Sequence, residues 1–284
     1  MKQYFITAVM MLVSIIPGHG QAELMTKKKD IGDISGKITK IVISGNDAFL
    51  NMAIEDEIKR GWTVSPYEFC DMDEFEKAKC DTNYFFLIRT KGQYKGENEP
   101  SIEFLSLLRG GPKAEEGISS MTEVISIPFK PARNGDGKYV AFMPAFIDII
   151  QEQIPRITKS DVSAYTAMHS YTKRMYKSRE MHILMGEQDI SRAVDEKTVG
   201  KYFDENMRTA SSEEIEAAMQ EMRPNTLVSY TIVPENGKYC FKMLISTEDH
   251  GLYYFTKHRI SDKRPGGFIP KDIRKIAIAR KNGK

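Results

Sequence analysis

Apolar residues along this chain recur at two periods, and the order in which the periods alternate repeats itself. Residues 40–44 read as a strand, and behind them Leu50, Ile54 and Ile58 fall four apart, the spacing of one buried helix face. Asn46 or Asp47 is placed to cap that helix, since a short polar side chain accepts from an amide the first turn leaves unpaired; Gly61 stops it. A strand over about 62–69, a short helix over 71–79 and strands over 84–89, 102–108 and 124–129 follow. Pro144 then opens a closing helix through Ile154, at a position where a missing amide proton costs nothing. A helix between two strands implies a right-handed parallel crossover.

The second half rewrites the first. Its expected elements are a strand at 183–185, a helix near 190–202, a short strand near 206–208, a helix over 212–222, strands at 226–232, 239–245 and 252–258, and a helix after Pro270. Ile41-Val42-Ile43-Ser44-Gly45 returns as His182-Ile183-Leu184-Met185-Gly186, Asp73-Glu74-Phe75 as Glu213-Glu214-Ile215, Asn83 as Asn225, and Met143-Pro144 as Ile269-Pro270. The offsets between those positions are about 141, 140 and 142 residues and fall to 126 at the prolines, so a loop near 91–122 is longer in the first copy. A period this long indicates two domains rather than a solenoid. The expected fold class is α/β: two tandem copies of a small mixed-sheet α/β domain, residues 36–157 and 181–284, joined by an amphipathic helix over 158–180. On that connecting helix Val162, Tyr165, His169, Thr172 and Tyr176 share a face.

The first residues carry a different pattern. Met1-Lys2 precedes an apolar run from Tyr4 to Ile16, which is short for a membrane span, and Pro17-Gly18 and the small residues Gly20 and Ala22 follow. Residues 1–22 are therefore read as a signal peptide cleaved near Ala22, giving a secreted or periplasmic protein expected to be soluble. The alternative is a retained anchor flanked by Lys27-Lys28-Lys29.

Hydrophobic residues at 41% and charged residues at 28% are enough for both copies to bury a core. The formal net charge is +2, or +1 without Lys2, a balance that argues against a dedicated nucleic-acid binder. An oxidising compartment raises the question of disulfides among Cys70, Cys80 and Cys240. About ten helical residues would hold the first two roughly 15 Å apart, beyond the limit of about 7 Å for a bridge. Cys240 is expected as a small buried hydrophobe.

Candidate chemistry is sparse. Gly110-Gly111-Pro112-Lys113 lacks the spacing of a phosphate loop, and Asn134-Gly135-Asp136-Gly137 lacks the flanking acids of a calcium loop; both read as turns. Acids at Asp71, Asp73, Glu74 and Glu76, and again at Glu213, Glu214 and Glu216, fit the first turn of a helix, where they offset the dipole. No histidine pair has zinc spacing, and neither a metal nor another cofactor is expected. A serine such as Ser229, Ser246 or Ser261 beside His250 and Asp249 would resemble a hydrolase triad, but no nucleophile-elbow motif supports it.

One charge asymmetry stands out. The C-terminal segment concentrates cations, among them Lys257, Arg259, Lys263, Arg264, Lys271, Arg274, Lys275 and Arg280, against Asp262 and Asp272. Lys257, Arg259, Lys263, Arg264, Lys271, Arg274 and Lys275 are the candidate residues for an anionic partner, with Ile273 and Ile276 turned inward.

The order strand, helix, strand, helix, strand, strand, with helix starts after Gly45 and Gly186, resembles the small α/β domains of bacterial envelope proteins, such as the N-terminal domain of TolB and the curli secretion lipoproteins, although a lipidated cysteine is lacking. In style the chain is similar to uncharacterised secreted Bacteroidales proteins. The resemblance implies a fold and a compartment and carries over no functional residue. The expected function is non-catalytic binding of an envelope protein or glycan in the groove between the copies. The alternatives are a hydrolase assembled in that groove from His169, His182 or His250, and attachment of the cationic segment to anionic glycan or, peripherally, to membrane lipid.

Overall fold

The computed structural model describes residues 15–17, 34–45, 47–135, 137–159 and 174–281. In the first half, strands β2 (Ile38–Val42), β3 (Tyr67–Cys70), β4 (Tyr84–Gln93), β5 (Ile102–Arg109) and β6 (Thr122–Pro131) form a sheet in the order β3-β2-β4-β5-β6. β2 runs parallel to both neighbours, and β5 and β6 are antiparallel. A short β1 (Ile15–Pro17), within the stretch read as a leader, pairs in parallel with Lys91, Gly92 and Gln93 of β4. The helices are α1 (Ala48–Gly61), α2 (Met72–Ala78) and α3 (Met143–Lys159).

The second half repeats this path. Strands β7 (His182–Gly186), β8 (Met207–Ala210), β9 (Thr226–Ile232), β10 (Tyr239–Ser246) and β11 (Leu252–Arg259) take the order β8-β7-β9-β10-β11, with α4 (Glu196–Tyr202), α5 (Ser212–Gln220) and α6 (Pro270–Lys281). β7 is again the strand with two parallel neighbours. Two α/β units of one topology thus stand in tandem. The connections 94–101 and 110–121 of the first are longer than 233–238 and 247–251 of the second, which is where the falling offset places the extra chain.

The ladders correct one landmark. Ile38 faces Tyr84 as His182 faces Thr226, so His182 is the counterpart of Ile38 and not of Ile41. Gly45 lies beyond the end of β2 at φ +77°, in the left-handed region glycine favours, whereas Gly186 ends β7 at φ −56°. The two glycines are alike only in sequence.

Local chemistry sets most helix ends. The Asp47 carboxylate accepts from Leu50 N at 3.1 Å. Asp71 and Glu74 form a reciprocal capping box. Ser211 caps α5. Pro144 and Pro270 fall in the first turns of α3 and α6. Tertiary contacts shorten two expected elements. The helix expected from Ile190 starts only at Glu196, because Phe268 N donates to Asp189 O and Ser191 N to Phe268 O, which draws the preceding chain into a bridge. β3 starts at Tyr67 because Trp62 closes α1 with its amide and donates from Nε1 to Ser65 Oγ, turning the chain. Of the connecting helix expected over 158–180, residues 160–173 lie outside the described residues; a 3-10 turn, Met175–Ser178, precedes β7.

α1 and α3 bury Leu50, Ile54, Ile58, Phe146 and Ile150 on one face of the first sheet, and α2 covers the other with Phe75. In the second half, α6 buries Ile273 and Ile276 on one face of the sheet. The other face carries Ile215 and Met219 of α5, and joins the core of the first half. There Phe142, just before α3, and Phe146 of α3 sit 4.6 and 5.3 Å from the Tyr230 ring, Phe104 meets Phe241 edge-on, and the Tyr230 hydroxyl donates to Phe129 O. One apolar core runs through both halves and fills the seam along this stretch. Cys70, Cys80 and Cys240 are free thiols; burial pushes those of Cys70 and Cys240 up to about 11.

Candidate functional site

The groove expected between the copies survives as a small polar cleft. α3 presents Asp148 and Glu152 one turn apart; the turn between β10 and β11 adds Asp249, His250 and Gly251; Arg174, Lys177 and Tyr253 complete a cleft of about 190 Å³, below the roughly 300–1,000 Å³ usual for ligand pockets. His250 sits at φ +54°, and the Asp249 carboxylate accepts from Gly251 N at 3.0 Å in a local turn. Its partner is Asp148, with Nδ1 to Oδ2 at 2.7 Å. Arg174 donates to both oxygens of Glu152, and Arg156 to Oε1 at 2.6 Å. Asp148 is matched with His250 and Glu152 with Arg174 and Arg156, and the Asp148–His250 pair ties the halves together.

The imagined triad is not assembled. Ser229 Oγ donates to Asp189 Oδ2 at 2.6 Å; Ser246 accepts from Asp249 N and Ser261 from Arg264 N. Among the described residues no serine is hydrogen-bonded to His250. His182 is exposed at the start of β7, and His169 lies outside the described residues. Sequence reasoning paired His250 with its neighbour Asp249 and missed Asp148; the only signal was a carboxylate four residues before Glu152 on a helix. No group of three or more metal-ligating side chains occurs among the described residues.

The cationic end is built as a surface. Arg259, Lys263 and Arg264 leave the end of β11, and Lys271, Arg274 and Lys275 line one side of α6; all six are exposed, and none forms an ion pair among the described residues. On the opposite side of α6, Ile273 and Ile276 are fully buried. Lys257 is half-buried, its ammonium 5.7 and 5.3 Å from the rings of Tyr94 and Tyr239. Arg280 does not belong to this surface. It turns inward and donates to the carbonyls of Ser178, Arg179 and Met181. The acids of α5 do not neutralise the patch either, because Glu214 is taken by Arg208 and Arg223, which hold its carboxyl below the usual range.

Beneath α6 lies a buried polar network. Lys242 of β10, 1% exposed, donates to Asp272 Oδ2 and to His258 Nδ1 at 2.8 Å; Asp272 also accepts from the Tyr254 hydroxyl at 2.9 Å, and His258 Nε2 donates to Pro265 O at 2.9 Å. Burial, then the Lys242 charge, lowers the His258 pKa from 6.5. A histidine that binds its proton less readily when folded leaves the unfolded chain with more protons below about pH 6.5, so stability is held above that pH and lost as pH falls through the window beneath it. Urea titrations between pH 7.5 and 5 are expected to show this loss, and His258→Gln to flatten the slope; an unchanged slope in the variant would assign it elsewhere.

Fold and site together define a duplicated mixed α/β protein with a cationic end. No protein-family model, curated protein or solved structure matches the chain.

Proposed function

We propose that this is an exported, non-catalytic binding protein that attaches through its cationic end to an anionic component of the cell envelope. The observation that carries the reading is the set of six exposed cations, at the end of β11, in the loop after it and on α6, that form no ion pair among the described residues. Charges left unpaired together raise the local concentration of anions and steer their approach. The leader-like N-terminus supports export, and no helix among the described residues is long and apolar enough to cross a membrane. The seam cleft supports binding less well, because it is small and its Asp148, His250, Glu152 and Arg174 side chains bond one another.

The test is the variant Lys263→Gln/Arg264→Gln/Arg274→Gln/Lys275→Gln. Exposed charges contribute at most about 1 kcal/mol each to stability, so the melting temperature is expected to stay close to that of the parent. Cosedimentation with anionic vesicles or acidic polysaccharide at low salt should fall in the variant, and binding by the parent should weaken as salt rises. Whichever material is retained identifies the anion. Equal retention of parent and variant on both would remove the reading and return attention to the seam.

A further inference from the structure

Because the halves repeat one topology, each shows what the other has done at the same place. In both sheets the chain leaves the second strand in one direction and returns on its other side, and open α/β sheets take ligands at the C-terminal ends of strands where the path reverses in this way. In the second half the chain fills that place itself. Asp189, just past β7 and 1% exposed, accepts from Ser229 Oγ at 2.6 Å and Thr231 Oγ1 at 2.5 Å on β9, and pairs with Lys138 at 3.2 Å.

The ladder that sets Ile38 against Tyr84 and His182 against Thr226 makes Arg89 the counterpart of Thr231 and Gly45 the counterpart of Asp189. The first half therefore has a guanidinium and no side-chain carboxylate where the second has a satisfied carboxylate. The Arg89 side chain is 9% exposed and lies so close over Gly45 that a Cβ there would stand 2.9 Å from Nη2. It makes no hydrogen bond among the described residues, and its buried Nε is without a partner. Its nearest acid, Glu103, is 3.7 Å away and gives its other oxygen to Lys130 at 2.8 Å. Asp47 is spent on the α1 cap and on the Tyr139 hydroxyl at 3.3 Å. Asn51, on the first turn of α1, donates to Gly45 O at 3.4 Å and leaves its buried Oδ1 unpaired. Buried polar groups are rarely left unpaired, and two of them here flank Gly45.

We propose that a ligand carboxylate binds at this strand end through Arg89. A guanidinium offers a planar fork of donors that a carboxylate matches in two parallel bonds. Glu103 is shared between Lys130 and, at longer range, Arg89, so the guanidinium keeps its hydrogen-bond donors for one carboxylate, while the negative charges of Asp47 and the buried Glu103 disfavour a phosphate dianion. The site is separate from the cationic end, so either reading can fail alone.

Acetate and succinate are the probes, with phosphate at matched ionic strength as control, on the full chain and on Arg89→Met and Arg89→Lys. Carboxylates are expected to shift the Arg89 Nε–H NMR signal and raise the melting temperature of the parent, while phosphate leaves both unchanged. Without probe Arg89→Met should melt at or above the parent temperature, because a buried cation that makes no hydrogen bond among the described residues is gone, and should not respond to carboxylates. Arg89→Lys, which keeps the charge without the fork, should respond less than the parent. An Arg89 signal indifferent to carboxylates, a phosphate response equal to the carboxylate one, or Arg89→Met responding like the parent would each overturn the proposal; the first needs no variant to fold.

Discussion

Asp272→Ala is expected to destabilise the protein by about 3–5 kcal/mol, the cost of leaving one partner of a buried ion pair uncompensated. Lys242 is 1% exposed and has two side-chain partners, Asp272 and the imidazole of His258, so the substitution strands a charge with no route to water. The same carboxylate accepts from Ile269 N at 3.1 Å at the start of α6 and from the Tyr254 hydroxyl, and those donors lose their acceptor as well. Denaturant titration of parent and variant measures the loss. Replacing both partners, with Lys242→Met and Asp272→Leu together, should recover much of it, since apolar side chains of similar size pay no desolvation. A single substitution that costs less than about 1 kcal/mol would place the pair among solvent-screened contacts instead.

The second large effect is expected at Phe146. It is fully buried on α3 against Phe129, Phe142 and Tyr230, so Phe146→Ala removes an aromatic ring from the core where the halves meet. The expected loss is about 3–5 kcal/mol. Because that core is continuous, the loss should appear in one transition shared by both halves. Trp62 is the chain's one tryptophan and lies in the first half, so its fluorescence follows that half while far-UV circular dichroism follows both. Coincident curves in parent and variant are the expected result. Separate midpoints would show that each half folds alone and that the seam is only a contact.

The elements that sequence reading found were those whose causes lie close together in the chain. Leu50, Ile54 and Ile58 mark a helix face within three turns, Asp71 and Glu74 close a capping box within one, and each strand's apolar run needs only its own residues. Repetition of such local signals was enough to show a duplicated α/β fold. It was not enough to align the copies, because Gly45 and Gly186 look alike in sequence and only the ladders show that they stand at different places. The cationic end was legible because charge density is a property of composition, yet exposure divided its members: Lys275 stays at the surface, and Arg280 turns in to bond three carbonyls about a hundred residues back.

By itself, then, the sequence determined the succession of strands and helices, their duplication and the excess of positive charge at one end. The tertiary structure alone decided that the halves share a core, that His250 takes Asp148 from 102 residues away instead of its neighbour Asp249, and that Arg89 is buried against Gly45 without a hydrogen bond among the described residues. The reason is physical. Periodicity and capping act over a few residues, whereas the partner of a buried charge is whichever group the folded sheets bring within about 3 Å, and nothing in the local sequence names it.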